Sequence, residues 1–397
     1  MKILHINTST SGGAATACLR IHQSLLKQGI ESKVLVLHKT KDIPEVYQFD
    51  YWEDVKSKIH KTYKILRKRF FEKNLDRIKS RLPESAVSFS FPTSPYDITT
   101  HPLYKDADII VLNWVSGFLD ESSFFKKNTK PVIWRMADLY VCGGGNHYEK
   151  NFPYDGYYKY LKYNYDLRKK LLKDQNLFLV PISTWTQKKA EESELTNRFP
   201  MTIIHNGLNF ERFKPFNKTF ARDFWNLPPD KTILLFGADG ISDPRKGLDY
   251  LLEAVKKIDS KDINICSFGG ICHSDKIISV GRISDDRLLS LLFSAVDYFI
   301  MPSIEETFGQ VTIEALACGV PVVSFPNGGS KDIIINGFNG FLTDEFSSSS
   351  LQKTILKALQ TSFNTEKIRL DTFNRFNIKD KAAEYIQLFN QILKSNE

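Results

Sequence analysis

The stretch Pro302–Phe325, PSIEETFGQVTIEALACGVPVVSF, decides how the rest of the chain is read. It follows one apolar run, Tyr298–Met301, and ends in another, Pro321–Phe325. Short apolar runs without alternation belong to strands that are covered on both faces. Between them lie a loop carrying Gly309 and a helical pattern over Thr312–Ala317. Strand, helix and strand in that order form the crossover unit of a parallel sheet.

Glu306 and Glu314 are separated by seven residues, which puts Glu306 in the loop and Glu314 about one turn into the helix. The N–H groups of Phe308, Gly309 and Gln310 then fall at a helix N-terminus, where free donors and the dipole favour a phosphate. A carboxylate on either side of a pyrophosphate pocket suits sugar hydroxyls on one flank and ribose hydroxyls on the other. Most glutamates are simply solvated. Glu314, however, stands among Val311, Ile313, Ala315, Leu316 and Ala317, and a charge in such surroundings needs a partner.

Upstream, the same alternation runs through strand Thr232–Phe236, helix Leu248–Ile258, strands Asn264–Phe268 and Lys276–Val280, and helix Asp285–Phe293. Downstream come helical patterns near Ser349–Gln360 and Lys379–Leu393. An earlier series opens with strand Lys2–Asn7, the turn Gly12-Gly13, a helix over about Ala14–Gln28 and strand Val34–Leu37. It continues with strands Asp108–Leu112, Pro131–Arg135, Leu177–Ile182 and Met201–Ile204. Two such series imply two doubly wound domains, and 397 residues exceed what one core supports. Pro215, Pro228 and Pro229 mark the boundary region. The expected division is 1–205 and 206–377, with a C-terminal helix at about 378–397 packing back on the first domain.

An apolar fraction of 42% and a charged fraction of 25% are those of an ordinary globular protein. No run approaches the ~18 uninterrupted apolar residues of a spanning helix. The chain is therefore expected in the cytoplasm, or held on a membrane from one side. Five scattered cysteines (Cys18, Cys142, Cys266, Cys272 and Cys318) form no CxxC, and no histidine pair has zinc spacing, which predicts reduced thiols and no metal.

The net charge of +8 is uneven. Between Val55 and Arg81, eleven Lys and Arg stand against Glu72 and Asp76, a balance of +9 that leaves the remainder near neutral. Val55, Ile59, Thr62, Leu66 and Phe70, then Phe71, Leu75, Ile78 and Leu82, follow helical spacing. Such a stretch either lies on an anionic membrane surface or packs its apolar stripe on its own domain. Its charged face lacks interleaved aromatics, which argues against a nucleic-acid partner.

The glutamate stretch resembles the E-x7-E donor-binding motif of the family-4 retaining glycosyltransferases. Other segments agree in the same order: SGGAATA around Gly12 and Gly13, HNGLNFERFKP (His205–Pro215), DPRKGLDYLLEA (Asp243–Ala254) and the approach Ser279–Ser303. The resemblance implies the GT-B fold, an α/β architecture of two Rossmann-like doubly wound domains facing each other across a donor-binding cleft. It implies that Lys246, with Arg245 beside it, contacts the donor's phosphates. Glu306 would hold the transferred sugar and Glu314 the ribose. Phe308, Gly309 and Gln310 would meet the phosphates through the backbone, Ile283 would read the base, and Gly12 and Gly13 would face the donor.

Two departures stand out. The family commonly has an arginine where Ala238 follows Gly237, and a His-Asp pair where Ala137-Asp138 stands. Asp138 and His147 remain as acceptor-side candidates. The implied activity is metal-independent, retaining hexosyl transfer from a nucleotide-diphosphate sugar to a glycan or lipid-linked acceptor, in cell-surface polysaccharide or lipopolysaccharide assembly. A UDP-sugar is favoured and a GDP-sugar comes second; no cofactor is implied. Rival readings are a catalytically silent sugar-nucleotide binder and an epimerase of the same fold.

Overall fold

The computed structural model describes residues 1–52, 55, 57–82, 88–238, 240–241, 243–258, 261–271 and 277–395. Cys272 and His273 lie outside the described residues. The chain divides into two compact units. The first comprises Met1–Ile182, Thr186–Ile204 and Ala382–Glu397; the second comprises Ser183–Trp185 and His205–Lys381.

The first unit is built on β1 (Lys2–Ser9), β2 (Glu31–His38), β3 (Val46–Gln48), β4 (Ile109–Leu112), β5 (Val132–Met136) and β6 (Leu177–Pro181). They form one parallel sheet in the order β3-β2-β1-β4-β5-β6. Side chains alternate across a strand, so Leu35 joins one core cluster with Leu4, Ile6 and Leu112, while Val34 and Val36 join another with Cys18 and Leu19. Both faces are thus covered, which is why these strands read as unbroken apolar runs. The second unit repeats the plan with β7 (Thr232–Gly237), β8 (Ile263–Phe268), β9 (Ile277–Ser279), β10 (Tyr298–Met301), β11 (Val322–Ser324) and β12 (Gly340–Leu342). Its order is β12-β11-β10-β7-β8-β9, again all parallel. In each unit the first and fourth strands are neighbours, the arrangement of a dinucleotide-binding, doubly wound sheet.

Three features depart from the sequence reading. The run Met201–Ile204 makes a single bridge to Leu179 instead of a strand, although Thr202 and Ile204 still donate to the carbonyls of Leu179 and Pro181. The three-residue edge strands β3 and β12 carry no period long enough to read. The basic segment forms helix Lys58–Lys79, capped by Ser57, and buries none of its residues. The less exposed side is mixed: Ile65, Phe71, Leu75 and Ile78 are half-buried together with Lys64 and Lys68. Lys64 donates to the Tyr51 carbonyl and lies over the Tyr51 ring, and Lys61 and Lys68 lie over the rings of Trp52 and Tyr51. Ile59, Tyr63, Leu66 and Phe70, four positions on one helical stripe, are left 60–85% exposed.

Cys18, Cys266 and Cys318 are buried free thiols, and burial pushes each up to about 12. Among the buried histidines, His5 and His22 are shifted by their surroundings. His5 is buried in the centre of β1, where desolvation, with the neighbouring His22 and Arg135 charges, lowers it to about 3. His22 bonds to Ser32 and to the Pro44 carbonyl, and burial lowers it as well. Folded, His5 stays neutral down to about pH 3; unfolded, it binds a proton below about pH 6.5. The unfolded chain then holds more protons, so stability falls as pH drops below 6.5, approaching about 1.4 kcal/mol per pH unit for His5, and the lowered His22 acts in the same direction. Urea unfolding between pH 7 and pH 5 is expected to show this slope, and His5→Leu is expected to remove one proton's share. An unchanged slope in that variant would show that His5 titrates normally.

Candidate functional site

In the second unit, β7 and β10 lie side by side while their connections diverge, so their carboxyl ends border the crevice where such sheets bind ligands. After β7 the chain turns through Asp243–Gly247. Asp243 accepts the Arg245 N–H, Pro244–Lys246 form one tight turn, and Gly247 at φ +76° starts the helix Leu248–Lys256. A Cβ at Gly247 would sit 2.0 Å from the Pro302 carbonyl oxygen, and Ile304 donates to the Arg245 carbonyl. The turn after β7 and the loop after β10 are therefore locked backbone to backbone. That contact sets Lys246 Nζ 2.7 Å from Glu306 Oε2, with both side chains more than four-fifths buried.

The loop itself is pinned from below. Gly329 N–H donates to the Glu306 carbonyl, and a Cβ on Gly329 would lie 2.1 Å from Phe308 Cα. The Phe308 ring is buried against His205 and Phe376. Gly309 at φ +95° then opens helix Gln310–Ala317, whose first-turn N–H groups have no acceptor within the helix. At its start the half-buried Gln310 amide has no hydrogen-bond partner among the described residues. Glu314 is 5% exposed within the otherwise apolar helix.

Ile283 lies half-buried beyond the end of β9. Gly281, just before it, accepts from Gly269 N–H, and a Cβ at Gly269 would sit 1.8 Å from the Ala238 carbonyl. The ends of β7, β8 and β9 are thereby joined. Arg245 bonds the carboxylate of its own Asp243 through Nε and Nη2, at 3.2 and 2.5 Å. A cleft of about 500 Å³ lined by Thr232, Tyr298 and Pro321 opens at the opposite, amino ends of the strands and shares none of these residues.

In the first unit the corresponding crevice lies between β1 and β4. Gly12 at φ +95° caps helix Gly13–Lys27, and a Cβ on Gly12 or Gly13 would meet nothing within 4 Å. After β5, Asp138 accepts from His147 Nδ1 at 2.5 Å. The other ring nitrogen, Nε2, lies 2.7 Å from Ser90 Oγ, which in turn touches Ser116 Oγ. Sequence reasoning missed Ser90, Ser116 and the buried Glu305. Only Glu305 had a local signal, as half of a Glu-Glu pair. Ser90 stands 57 residues from His147, and no spacing rule links them.

Two doubly wound sheets with this geometry define the fold class. A solved Anabaena protein, HepE in complex with UDP and glucose, superposes with a TM-score of 0.69 at 16% identity, covering 98% of this chain and 99% of that one. The architecture is that of the GT-B fold. Residues 217–372 match the family described as glycosyl transferases group 1, and the chain carries a domain of that family. D-inositol 3-phosphate glycosyltransferase of Mycolicibacterium smegmatis is 30% identical over 181 residues, 41% of each chain. The capsular polysaccharide biosynthesis glycosyltransferase CapM of Staphylococcus aureus is 23% identical over 243 residues, 55% of this chain and 63% of CapM. The chain thus matches about half the length of these curated relatives.

The close approach at Gly247 is testable against an internal control. Gly281 also has positive φ (+75°), but its Cβ direction is open. Gly281→Ala is expected to cost about 1 kcal/mol from backbone strain alone. Gly247→Ala must also displace Pro302 and is expected to cost roughly 3 kcal/mol. Equal losses in urea unfolding would mean that the Gly247–Pro302 contact constrains nothing.

Proposed function

We propose that the chain is a retaining, metal-independent glycosyltransferase. It moves a hexose from a nucleotide-diphosphate sugar to a hydroxyl of a glycan or lipid-linked acceptor. The observation that carries this reading is the Lys246–Glu306 pair beside the N-terminus of helix Gln310–Ala317, with Glu314 one turn further on. As the sugar leaves, negative charge develops on the diphosphate. Lys246 and the first-turn N–H groups around Gly309 are fixed cationic and dipolar partners for that charge, so no metal is needed to stabilise it. Glu306 holds Lys246 in place before the donor enters and then accepts from the sugar hydroxyls. Glu314 accepts from the ribose, and Gln310 supplies its free amide. Ile283 lies along the base.

A uridine donor is favoured by the UDP complex of HepE, with a guanosine donor second. CapM supports a role in cell-surface polysaccharide or lipopolysaccharide assembly, on the cytoplasmic face of the membrane. Helix Lys58–Lys79 is suited to hold the protein there. It turns Ile59, Tyr63, Leu66 and Phe70 outward amid a dense basic charge, the pattern of a helix that lies in an anionic lipid interface.

A panel of UDP- and GDP-sugars, tested for binding and turnover, checks the transferase reading. One donor is expected to bind saturably and release free sugar slowly. Lys246→Ala is expected to lower kcat by about 10²–10³-fold, and Glu314→Ala to weaken donor binding by about tenfold or more. Binding without release or transfer would identify a silent binder instead, and binding of no donor would remove the reading.

Flotation with phosphatidylglycerol-containing and pure phosphatidylcholine vesicles checks the membrane contact. Binding is expected only to the anionic vesicles, falling with added salt and with Phe70→Asp. Equal recovery with both vesicle types, or none with either, would exclude it.

A further inference from the structure

We propose that the first unit binds a neutral oligosaccharide in a tyrosine-lined cleft between helix Tyr154–Leu171 and the glycine-rich loop after β5. The choice of a glycan among hydroxyl-rich ligands rests on the transferase reading above. The cleft itself is built from residues of the first unit alone.

The cleft measures about 470 Å³. Its floor comes from the segment 139–149, and its wall is one stripe of the helix: Tyr154, Tyr158, Leu161, Lys162, Tyr165 and Asp166. Steps of three and four residues keep these positions on one face. The inward face of the same helix carries Tyr157, Asn164 and Arg168, all buried. The sequence YDGYYKYLKYNYDLRKKL thus spends its tyrosines on two faces, and only one of them serves the core. Tyr154 and Tyr158 stay 46% and 67% exposed. The Tyr154 ring is backed by buried Phe152, with centroids 5.1 Å apart.

The floor is held by backbone contacts. A Cβ at Gly144 would sit 2.2 Å from the Leu161 carbonyl oxygen, so the loop lies directly on the helix backbone. Asn164 donates to the Gly144 carbonyl at 2.7 Å. Buried Arg168, paired with buried Glu121, donates to the carbonyls of Tyr140 and Gly143. On the loop's other edge, segment 88–90 pairs antiparallel with 145–147: Ser90 N–H donates to the Gly145 carbonyl and His147 N–H to the Ser88 carbonyl. A groove fixed in this way loses little conformational entropy on binding. Tyrosine adds broad, rigid contact area at the cost of only two torsions.

The lining selects the ligand's chemistry. Among the described lining residues Lys162 is the one cation, against Glu149 and Asp166. Its Nζ lies 3.1 Å from Asp166, and Glu149 pairs with Lys189 at 2.6 Å. A phosphate would therefore meet a carboxylate beside that cation, and an acyl chain would have to cover two carboxylates and the Asn146 amide. A sugar ring has an apolar C–H face and a rim of hydroxyls. The face suits the rings of Tyr154 and Tyr158, and the rim suits Glu149, Asp166 and Asn146. Asn146 is 8% exposed, and its own bond to the Tyr148 carbonyl, at 3.2 Å, orients the amide. From Tyr154 to Tyr165 the stripe runs about 16 Å along the helix axis. That is longer than one sugar ring, so the cleft takes several linked sugars.

Calorimetric titration of the full chain with maltohexaose, cellohexaose and chitohexaose, with no nucleotide sugar present, tests the assignment. At least one is expected to bind saturably, and free glucose far more weakly. Tyr158→Ala is expected to weaken that binding about five- to tenfold, while Tyr158→Phe, which keeps the ring face, retains most of it. Tyr163→Ala is the control: this tyrosine, 64% exposed on the same helix, lies outside the cleft and its loss is expected to change nothing. Binding of none of the three hexasaccharides, or equal affinities in Tyr158→Ala and wild type, overturns the cleft assignment and leaves the transferase reading standing. Tripolyphosphate bound through Tyr158 in place of a hexasaccharide overturns it equally. A chain that binds a hexasaccharide through Tyr158 but turns over no nucleotide sugar supports the cleft and removes the transferase reading instead.

Discussion

In each unit two neighbouring parallel strands send their connections to opposite faces of the sheet, and the rest of the molecule's chemistry depends on that divergence. No helix can cover the carboxyl ends of such a pair, so a crevice remains, rimmed by the loops that follow the strands. Between β7 and β10 the rim brings Lys246 to Glu306 across sixty residues of sequence. Between β1 and β4 it brings the turn at Gly12 near the segment Trp114–Ser116. There the Asn7 carboxamide accepts from Trp114 N–H, and the Thr8 hydroxyl donates to the Ser116 carbonyl. Helix N-termini point into the same gap, because each crossover helix must start where its strand ends. An anion site is thus a by-product of the winding, and side chains need only refine it.

The refinement differs between the units. In the second it is tight backbone contact plus fixed charge: glycines 247, 269 and 329 let loops touch where any side chain would collide. The lysine and glutamate they position neutralise each other, so an empty site does not leave a half-buried charge uncompensated. Arg245 bonds the carboxylate of Asp243. In the first unit a buried ion pair, Arg168 with Glu121, stands behind the loop as scaffold. Removing either partner would strand the other in an apolar interior, which makes the pair costly to lose even though its net worth is small.

What was legible in the sequence follows from this division. The central strands were visible because burial on both faces forces continuous apolar runs. The glutamate motif was visible because its parts lie within one crossover. The edges β3 and β12 were invisible: three residues with one solvent-facing side satisfy no period. Met201–Ile204 looked like a strand because its residues are apolar, yet it follows β6 for only a single bridge. In helix Lys58–Lys79 the apolar positions could be read, but not that Phe71, Leu75 and Ile78 are half-buried while Ile59, Leu66 and Phe70 stay exposed. Its lysines meet the rings of Tyr51 and Trp52, and ring–cation contacts leave no periodic trace. Contacts across long separations, Lys246 with Glu306 and Ser90 with His147, exist only once the strands are ordered.

The two departures from the family pattern do not have the same consequence. At Ala238 the family's arginine is absent, and the nearby Arg245 bonds Asp243; on the proposed reading the counter-charge for a phosphate comes from Lys246 and the helix N-terminus. At Ala137 only the sequence neighbour of Asp138 has changed. Asp138 still holds an imidazole, delivered by His147 from the far end of a glycine-rich loop. A histidine adjacent in sequence to its carboxylate points where β5 directs it, but one brought in by a loop points where Ser88–Ser90 and Arg168 hold it. The imidazole is thereby committed to a serine hydroxyl. The side chain at 137 is free to be small because the orientation it would have fixed is set elsewhere.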